Sequence, residues 1–391
     1  MSEILVGEYL FLRLKQVGVQ TVFGVPGDFE LALLNLVPEQ GLSWVGTPNE
    51  LVGAYAADGY AREKGFGALV TTFGPGELSA LCGIGGAFCE NVPVLHIVGY
   101  PTRPVQASGR IIHHTLGDLR YDVGISEDVA YSKIPSSYLE TKLVTSPLPG
   151  NLDVEQKAIS AICNALTESK KPILLVDGGA SRGSWEKFVP ELVDALAVPV
   201  FTTTLGKGIV DESAPYYRLS AYIKPGDLVV TETGTSQFGF NMTTLPHGAK
   251  VWTQAVYGSI GYAAGVAAGA SIAARETGTY KRVILITGEG SYTVERYFDG
   301  MKAAYNDVPM WDYGAIFQAM SPETKIKSFK VDKAVDLDAL LSDENFQNAT
   351  YPQCVDMMLG PKDLPSNLKK MFEIAKADAA TKSSGTSQSV E

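Results

Sequence analysis

Cysteine is scarce in this chain, with four in 391 residues: Cys82, Cys89, Cys163 and Cys354. Their scatter fits neither a disulfide framework nor the paired spacing of a structural zinc site. Cys82 and Cys89 fall in an apolar, small-residue stretch and are expected to be plain core cysteines. No apolar run reaches bilayer-spanning length, and the opening Met1-Ser2-Glu3-Ile4 lacks the basic-then-apolar pattern of a signal peptide. A cytoplasmic protein with no membrane partner is the expectation. Positive charge is also short, 32 Lys and Arg against 43 Asp and Glu, for a net charge of −11. That deficit argues against nucleic acid as a main partner, because neutralising phosphates needs clustered cations. An anionic ligand must instead be held locally, by helix N-termini, backbone N–H groups or a metal ion.

What is present is a globular composition, 45% hydrophobic and 19% charged, at a length that predicts two or three domains. Apolar periodicity predicts an opening helix over residues 4–16 and a strand at Thr21-Val22-Phe23-Gly24-Val25. Pro26-Gly27-Asp28 is then a turn, and a helix follows from Phe29. Further strands are expected at 44–46, 68–72 and 94–98, with helices at 50–61 and 76–90 between them. A second alternating block starts near Asn151. A third starts with the strand 227–231 and runs through a Gly/Ala helix, 261–274, to the strand 282–287. The alternation predicts an α/β fold of three successive parallel-sheet blocks, with function on the loops after the strands.

Several positions could carry chemistry. Glu50 heads an apolar helix just after a strand; it could be a first-turn acid favoured by the helix dipole, or a proton relay. His113 and His114 are two of only four histidines, adjacent on a loop where both could approach one ligand. Thr233-Gly234-Thr235 lies in a hydroxyl-rich loop after an apolar strand. Gly258-Ser259-Ile260-Gly261 opens the Gly/Ala helix, whose exposed N–H groups suit a diphosphate, although small residues also serve tight packing. Gly288-Glu289-Gly290-Ser291 is a strand, Gly turn and acid, able to offer Mg²⁺ an oxygen or simply to turn.

In order, these segments resemble the thiamine-diphosphate-dependent 2-keto acid decarboxylases of the fungal pyruvate decarboxylase type. Residues 21–29 (Thr-Val-Phe-Gly-Val-Pro-Gly-Asp-Phe), Asn49-Glu50, 54–62 and 71–80 are similar to that family's pyrimidine-binding domain, and His113-His114-Thr115-Leu116-Gly117 to its histidine pair. Gly206-Lys207-Gly208 looks like its middle domain. Residues 232–236 and 258–261 look like its diphosphate domain, and Tyr292-Thr293-Val294-Glu295-Arg296 like the segment with its second catalytic glutamate. The resemblance implies a pyrimidine-binding domain over 1–130 with its last strand missing, a truncated middle domain over 131–216 and a truncated diphosphate domain over 217–378, while the Ser/Thr-rich residues 379–391 have little to bury and are expected to form a disordered tail. It implies that Glu50 hydrogen-bonds the cofactor's aminopyrimidine ring and that Ile260 holds the cofactor bent. Asp28, His113, His114 and Glu295 would handle the substrate carboxylate and proton transfers. Thr233, Gly234, Thr235, Gly258, Ser259, Gly288, Glu289, Gly290 and Ser291 would surround the diphosphate, with Glu289 on Mg²⁺. The implied reaction is decarboxylation of a small 2-keto acid, pyruvate first, with indolepyruvate or phenylpyruvate as alternatives. A homodimer or homotetramer is implied, because in the family the cofactor lies between subunits.

The chain departs from the family pattern at three seams, near Ala130-Tyr131, near Tyr216 and at Ser291-Tyr292, where whole blocks are missing between well-matched flanks. At the third, the family's second metal ligand has no counterpart, and the acid of its Gly-Asp-Gly turn is Glu289. Mg²⁺ takes few protein ligands, so this loss predicts weak cofactor binding.

Overall fold

The computed structural model describes residues 2–115, 123–143, 150–182, 185–210, 218–288 and 312–358, with a few positions between 366 and 374. Leu116, Gly117, Glu289, Gly290, Ser291, Glu295 and the tail from 379 lie outside the described residues.

The first block opens with strand β1 (Glu3–Leu5) and helix α1 (Val6–Gln16). It continues through β2 (Thr21–Gly24), α2 (Leu31–Glu39), β3 (Ser43–Gly46), α3 (Glu50–Lys64), β4 (Gly67–Thr72), α4 (Pro75–Cys89) and β5 (Val94–Tyr100). A short helix α5 (Arg103–Ala107), β6 (Val123–Ser126), α6 (Glu127–Ala130) and β7 (Lys133–Pro135) complete it. Five strands form one parallel sheet in the order β3-β2-β4-β5-β6. Every residue of β2 and β4 is buried, as both faces of a parallel sheet are covered. β1 pairs instead with β7, antiparallel, with Glu3 opposite Pro135, and Arg13 donates to the carbonyls of Tyr138 and Thr141 just beyond.

The middle block holds α7 (Leu152–Glu168), the short helices α8 (Gly179–Arg182) and α9 (Val189–Leu196), and two parallel strands, β8 (Leu174–Val176) and β9 (Val200–Thr202). α7 is exposed at every position but Leu166, with Ile159 and Ile162 open to solvent. The third block has helix α10 (Arg218–Tyr222), β10 (Asp227–Thr231), the six-residue helix α11 (Thr235–Phe240), β11 (Lys250–Trp252), helix α12 (Tyr262–Thr277) and β12 (Arg282–Ile286), all strands parallel in the order β11-β10-β12. A further parallel pair, Lys327–Val331 with Gln353–Met357, follows. The expected α/β architecture of successive parallel sheets is what the chain adopts. Among the described residues no helix is long and apolar enough to cross a membrane.

The first and third blocks meet through α3 and α12. Residues 53–61 of α3 are all buried, the mark of a helix enclosed on every side. It starts on Asn49, whose side chain accepts from Val52 N at 2.8 Å, and stops at Gly65 in the left-handed conformation. The contact with α12 is backbone on backbone. A Cβ added at Gly59 would lie 2.2 Å from Val266 O, and one at Gly269 would lie 1.8 Å from Ala56 O. Beneath the contact, Arg62 and Asp58 form a buried ion pair at 2.6 Å.

The expectation for Cys82 and Cys89 is corrected: both are exposed. α4 buries Gly76, Ala80, Gly83 and Ala87, a helical stripe of small residues facing α3, and the cysteines lie off it.

Candidate active site

In the first sheet the chain steps from β2 to β3 on one side and then to β4 on the other. The loops after β2 and β4 therefore diverge and leave a crevice at the strand C-termini. The loop after β2 carries Asp28 and Phe29, and the loop after β4 carries Phe73 and Gly74. His113 and His114 arrive from the segment after α5. Asp28 Oδ2 lies 3.3 Å from His113 Nε2, and the two histidine rings are 4.7 Å apart. Phe29 packs on His113 at 5.0 Å and on Phe73 at 5.0 Å, while Phe73 meets the His114 ring at 6.0 Å. Three residues singled out in the sequence are thus brought together on an aromatic floor.

Two supports fix this arrangement. Gly74 has φ +71° and leaves room for the His114 carbonyl, which a Cβ would meet at 2.4 Å. Glu77, fully buried, accepts from Gly74 N at 3.3 Å and from Tyr100 OH at 3.2 Å, tying the loop to the end of β5. Glu50, half-buried at the first position of α3, points toward the same edge. A Cβ at Gly76 would come within 3.2 Å of its Oε1.

The third sheet repeats the topology. β10 lies between β11 and β12, so its crevice opens between the loop Glu232-Thr233-Gly234 and the end of β12 at Thr287-Gly288. Thr233 Oγ1 is buried there without a partner among the described residues. A Cβ at Gly258 would face the Thr233 methyl at 3.8 Å, and one at Gly288 would face Ser236 Oγ at 3.8 Å. Ile260 is 61% exposed at the rim.

The two crevices open at the same end of the molecule. Contacts between α3 and α12 run in step from Val52 against Gly265 to Glu63 with Thr277, so the helices lie parallel. Their N-termini, carrying Glu50 and Gly261, are neighbours. Cys82 Sγ bridges the halves, 3.6 Å from Tyr55 OH and 3.9 Å from Ser259 Oγ.

Residues 4–121 match the family described as thiamine pyrophosphate enzyme, N-terminal TPP binding domain, and residues 159–225 match its central domain. Pyruvate decarboxylase isozyme 3 of Saccharomyces cerevisiae is 30% identical over an alignment covering 97% of this chain and 100% of the relative. The chain belongs to the pyruvate decarboxylase family. Pyruvate decarboxylases of Candida glabrata and Kluyveromyces lactis are 29% and 28% identical, over 94% and 97% of this chain and 97% and 100% of their own. The family is one of thiamine-pyrophosphate-dependent carboxy-lyases. The alignment with the Saccharomyces relative runs to 562 positions against 391 residues here, so a large share of that relative falls opposite gaps.

Within this decarboxylase-family fold, one expectation needs correction. The N–H groups at the start of α12 are not free for a diphosphate, because Glu232 occupies them. Its Oε1 accepts from Thr233 N at 2.9 Å and Gly261 N at 3.1 Å, and its Oε2 from Ala263 N at 3.4 Å. Gln254 takes the N–H groups of Gly258 and Ser259, through its backbone and side-chain oxygens respectively. Glu232 is 3% exposed, and burial pushes its carboxyl above the usual range against the pull of those backbone donors. Replacing Glu232 with alanine strands the three donors, and urea unfolding is expected to show a loss of about 2 kcal/mol.

What the described residues leave on this edge for a diphosphate oxygen is the unpartnered Thr233 hydroxyl rather than the helix terminus. Among the described residues no group of three or more His, Cys, Asp or Glu side chains could hold a metal ion. The anchoring roles of Glu77 and Glu232 and the burial of Glu30 are not legible in the sequence. No local pattern signals them, since each depends on which distant backbone lies opposite.

Proposed function

We propose that this fold serves the non-oxidative decarboxylation of a 2-keto acid, pyruvate to acetaldehyde and CO₂, with thiamine diphosphate and Mg²⁺. The observation that carries the reading is the Asp28–His113–His114 cluster at the first sheet's crevice, with Glu50 on the same edge. When bound, thiamine diphosphate supplies the electron sink that lets the substrate lose CO₂. Glu50 would hydrogen-bond the cofactor's ring, and Ile260 would support the cofactor from below. The hydroxyls of Thr233, Thr235 and Ser259 would surround the diphosphate, with Gly234, Gly258, Gly288, Gly290 and Ser291 beside them. Glu289 would supply an oxygen to Mg²⁺. Asp28, His113, His114 and Glu295 would hold the substrate carboxylate and pass protons to the leaving aldehyde. We assign the pyrimidine-binding, middle and diphosphate units to 1–130, 131–216 and 217–378, and a cytoplasmic homodimer or homotetramer to the assembly.

The test is CO₂ release from pyruvate by the purified chain with thiamine diphosphate and Mg²⁺, beside calorimetry of cofactor binding. Glu50→Gln is expected to lower the rate about 100-fold or more. Indolepyruvate and phenylpyruvate in parallel assays separate the substrate alternatives. The long gaps against the relatives favour a second reading, a non-catalytic family member that pairs with longer subunits. Absence of both binding heat and CO₂ release would leave that reading in place of the first.

A further inference from the structure

Glu30 has no task in the reaction proposed above, yet it is built into the same crevice. It is 1% exposed and lies where the Asp28-Phe29 turn enters α2, over the ends of β4 and β5. A Cβ at Gly27 would come 2.8 Å from its Oε1, and one at Gly99 would come 2.7 Å from its Oε2. Among the described residues neither carboxyl oxygen has a hydrogen-bond partner, and Thr72 Oγ1, at the end of β4, is likewise buried and unpartnered. Glu30 is also the N-cap residue of α2, but its side chain does not cap the helix.

Among the described residues no cation and no well-aligned donor faces this pocket, and such a pocket rejects a carboxylate anion and accepts the neutral acid. Burial, reinforced by the charge of Asp28, pushes the Glu30 carboxyl up to about 7. The nearby backbone of Gly27 and the Thr72 hydroxyl pull it down, without reaching good hydrogen-bond geometry. Among the described residues that face it, Asp28 is the charged one. β4 offers Thr72 and β5 the backbone of Gly99, neither of which ionises, and His113 lies beyond Asp28.

We propose that Glu30 is a positioning residue: its protonated carboxyl seats the Asp28-Phe29 turn against the sheet, and loss of that proton unseats the turn. Asp28 reaches His113 from this turn, and Phe29 forms the floor under both histidines. An ionised Glu30 adds a second negative charge beside Asp28 in a crevice meant for a keto acid's carboxylate. The consequence for catalysis rests on the decarboxylase reading, but the switch itself does not.

The sign follows from linkage. The folded-state value lies above the ordinary 4.5, so the stability of neutral Glu30 is complete below about pH 4.5. It is lost as pH rises to about 7. Thermal unfolding of the ligand-free full chain and of Glu30→Gln, which keeps the shape of the neutral acid, reads this directly. Between about pH 5 and pH 8 the midpoint of the wild-type chain is expected to fall by roughly 5 °C relative to the variant. The backbone amide resonances of Asp28 and Phe29 should inflect near pH 7 in wild type and lack that inflection in the variant, a signature that a merely space-filling Glu30 would not give. Parallel pH dependences in the two proteins overturn the proposal. Should Glu30→Gln fail to fold, infrared spectra of wild type decide: a protonated-carboxyl band that titrates near pH 7 supports it, and no such band overturns it. None of these measurements uses cofactor or substrate, so failure of decarboxylation and failure of the switch are told apart.

Discussion

Gly269→Leu is expected to lose at least about 3 kcal/mol of stability and to loosen the third sheet from the first. The position sits where α12 crosses α3, and a Cβ there would lie 1.8 Å from Ala56 O, 2.7 Å from its carbonyl carbon and 3.0 Å from its Cα. Overpacking a core commonly costs about 1–3 kcal/mol when side chains can adjust. Here the obstruction is main chain in the middle of a buried helix, so the helices themselves must part. Urea unfolding gives the size of the loss, and limited proteolysis between the blocks reports the loosening. Gly59→Ala attacks the same contact from α3, against Val266 O at 2.2 Å, so the two changes together should cost less than their sum. Gly179→Ala, with nothing within 4 Å, is the control and should stay within about 0.5 kcal/mol of wild type.

The second large effect is expected at Arg62. Its side chain is 6% exposed and its guanidinium pairs with Asp58, whose side chain is fully buried. Arg62→Met keeps most of the apolar stem but leaves the Asp58 carboxylate buried without its cation. Removing one partner of a buried pair typically costs about 3–5 kcal/mol. Most of that is the penalty of the abandoned charge rather than the worth of the pair. The double change Asp58→Asn with Arg62→Met should therefore recover much of the loss, and a double-mutant cycle by urea unfolding measures how much. If the double variant is as unstable as Arg62→Met alone, the arginine acts through packing.

The parts of the fold legible in the sequence are those written in local pattern. Thr21–Gly24, Gly67–Thr72, Val94–Tyr100 and Asp227–Thr231 are apolar runs bounded by turn residues, and they are strands. The Gly/Ala helix after Ile260 was ambiguous between a diphosphate cradle and tight packing. Gly265 and Gly269 serve the packing, and Glu232 fills the cradle. Asp28 and His113 are far apart in the chain, and only the family resemblance suggested that they share a site. Glu30 was invisible because its neighbours read as the start of a helix, where an acid is ordinarily solvated. Its burial is set by Gly27, Thr72 and Gly99, which reach it from three different strands' ends. The cysteines of α4 misled for a simpler reason: apolar composition marks a buried helix, but the buried stripe runs through its glycines and alanines.

The pairing of β1 with β7 has a mechanical consequence. Glu3 lies opposite Pro135, so the chain enters and leaves this short antiparallel ladder at the same end. Tension between the first residues and those after Thr141 would first load the two carbonyl contacts of Arg13. It would then peel the ladder from the Glu3–Pro135 end, one rung at a time, because the bonds run across the strands and cannot share the force. The five-stranded sheet would carry none of that load until the clasp had opened. The first unit is therefore fastened like a zip, weak to a pull on its ends and indifferent to the strength of its core.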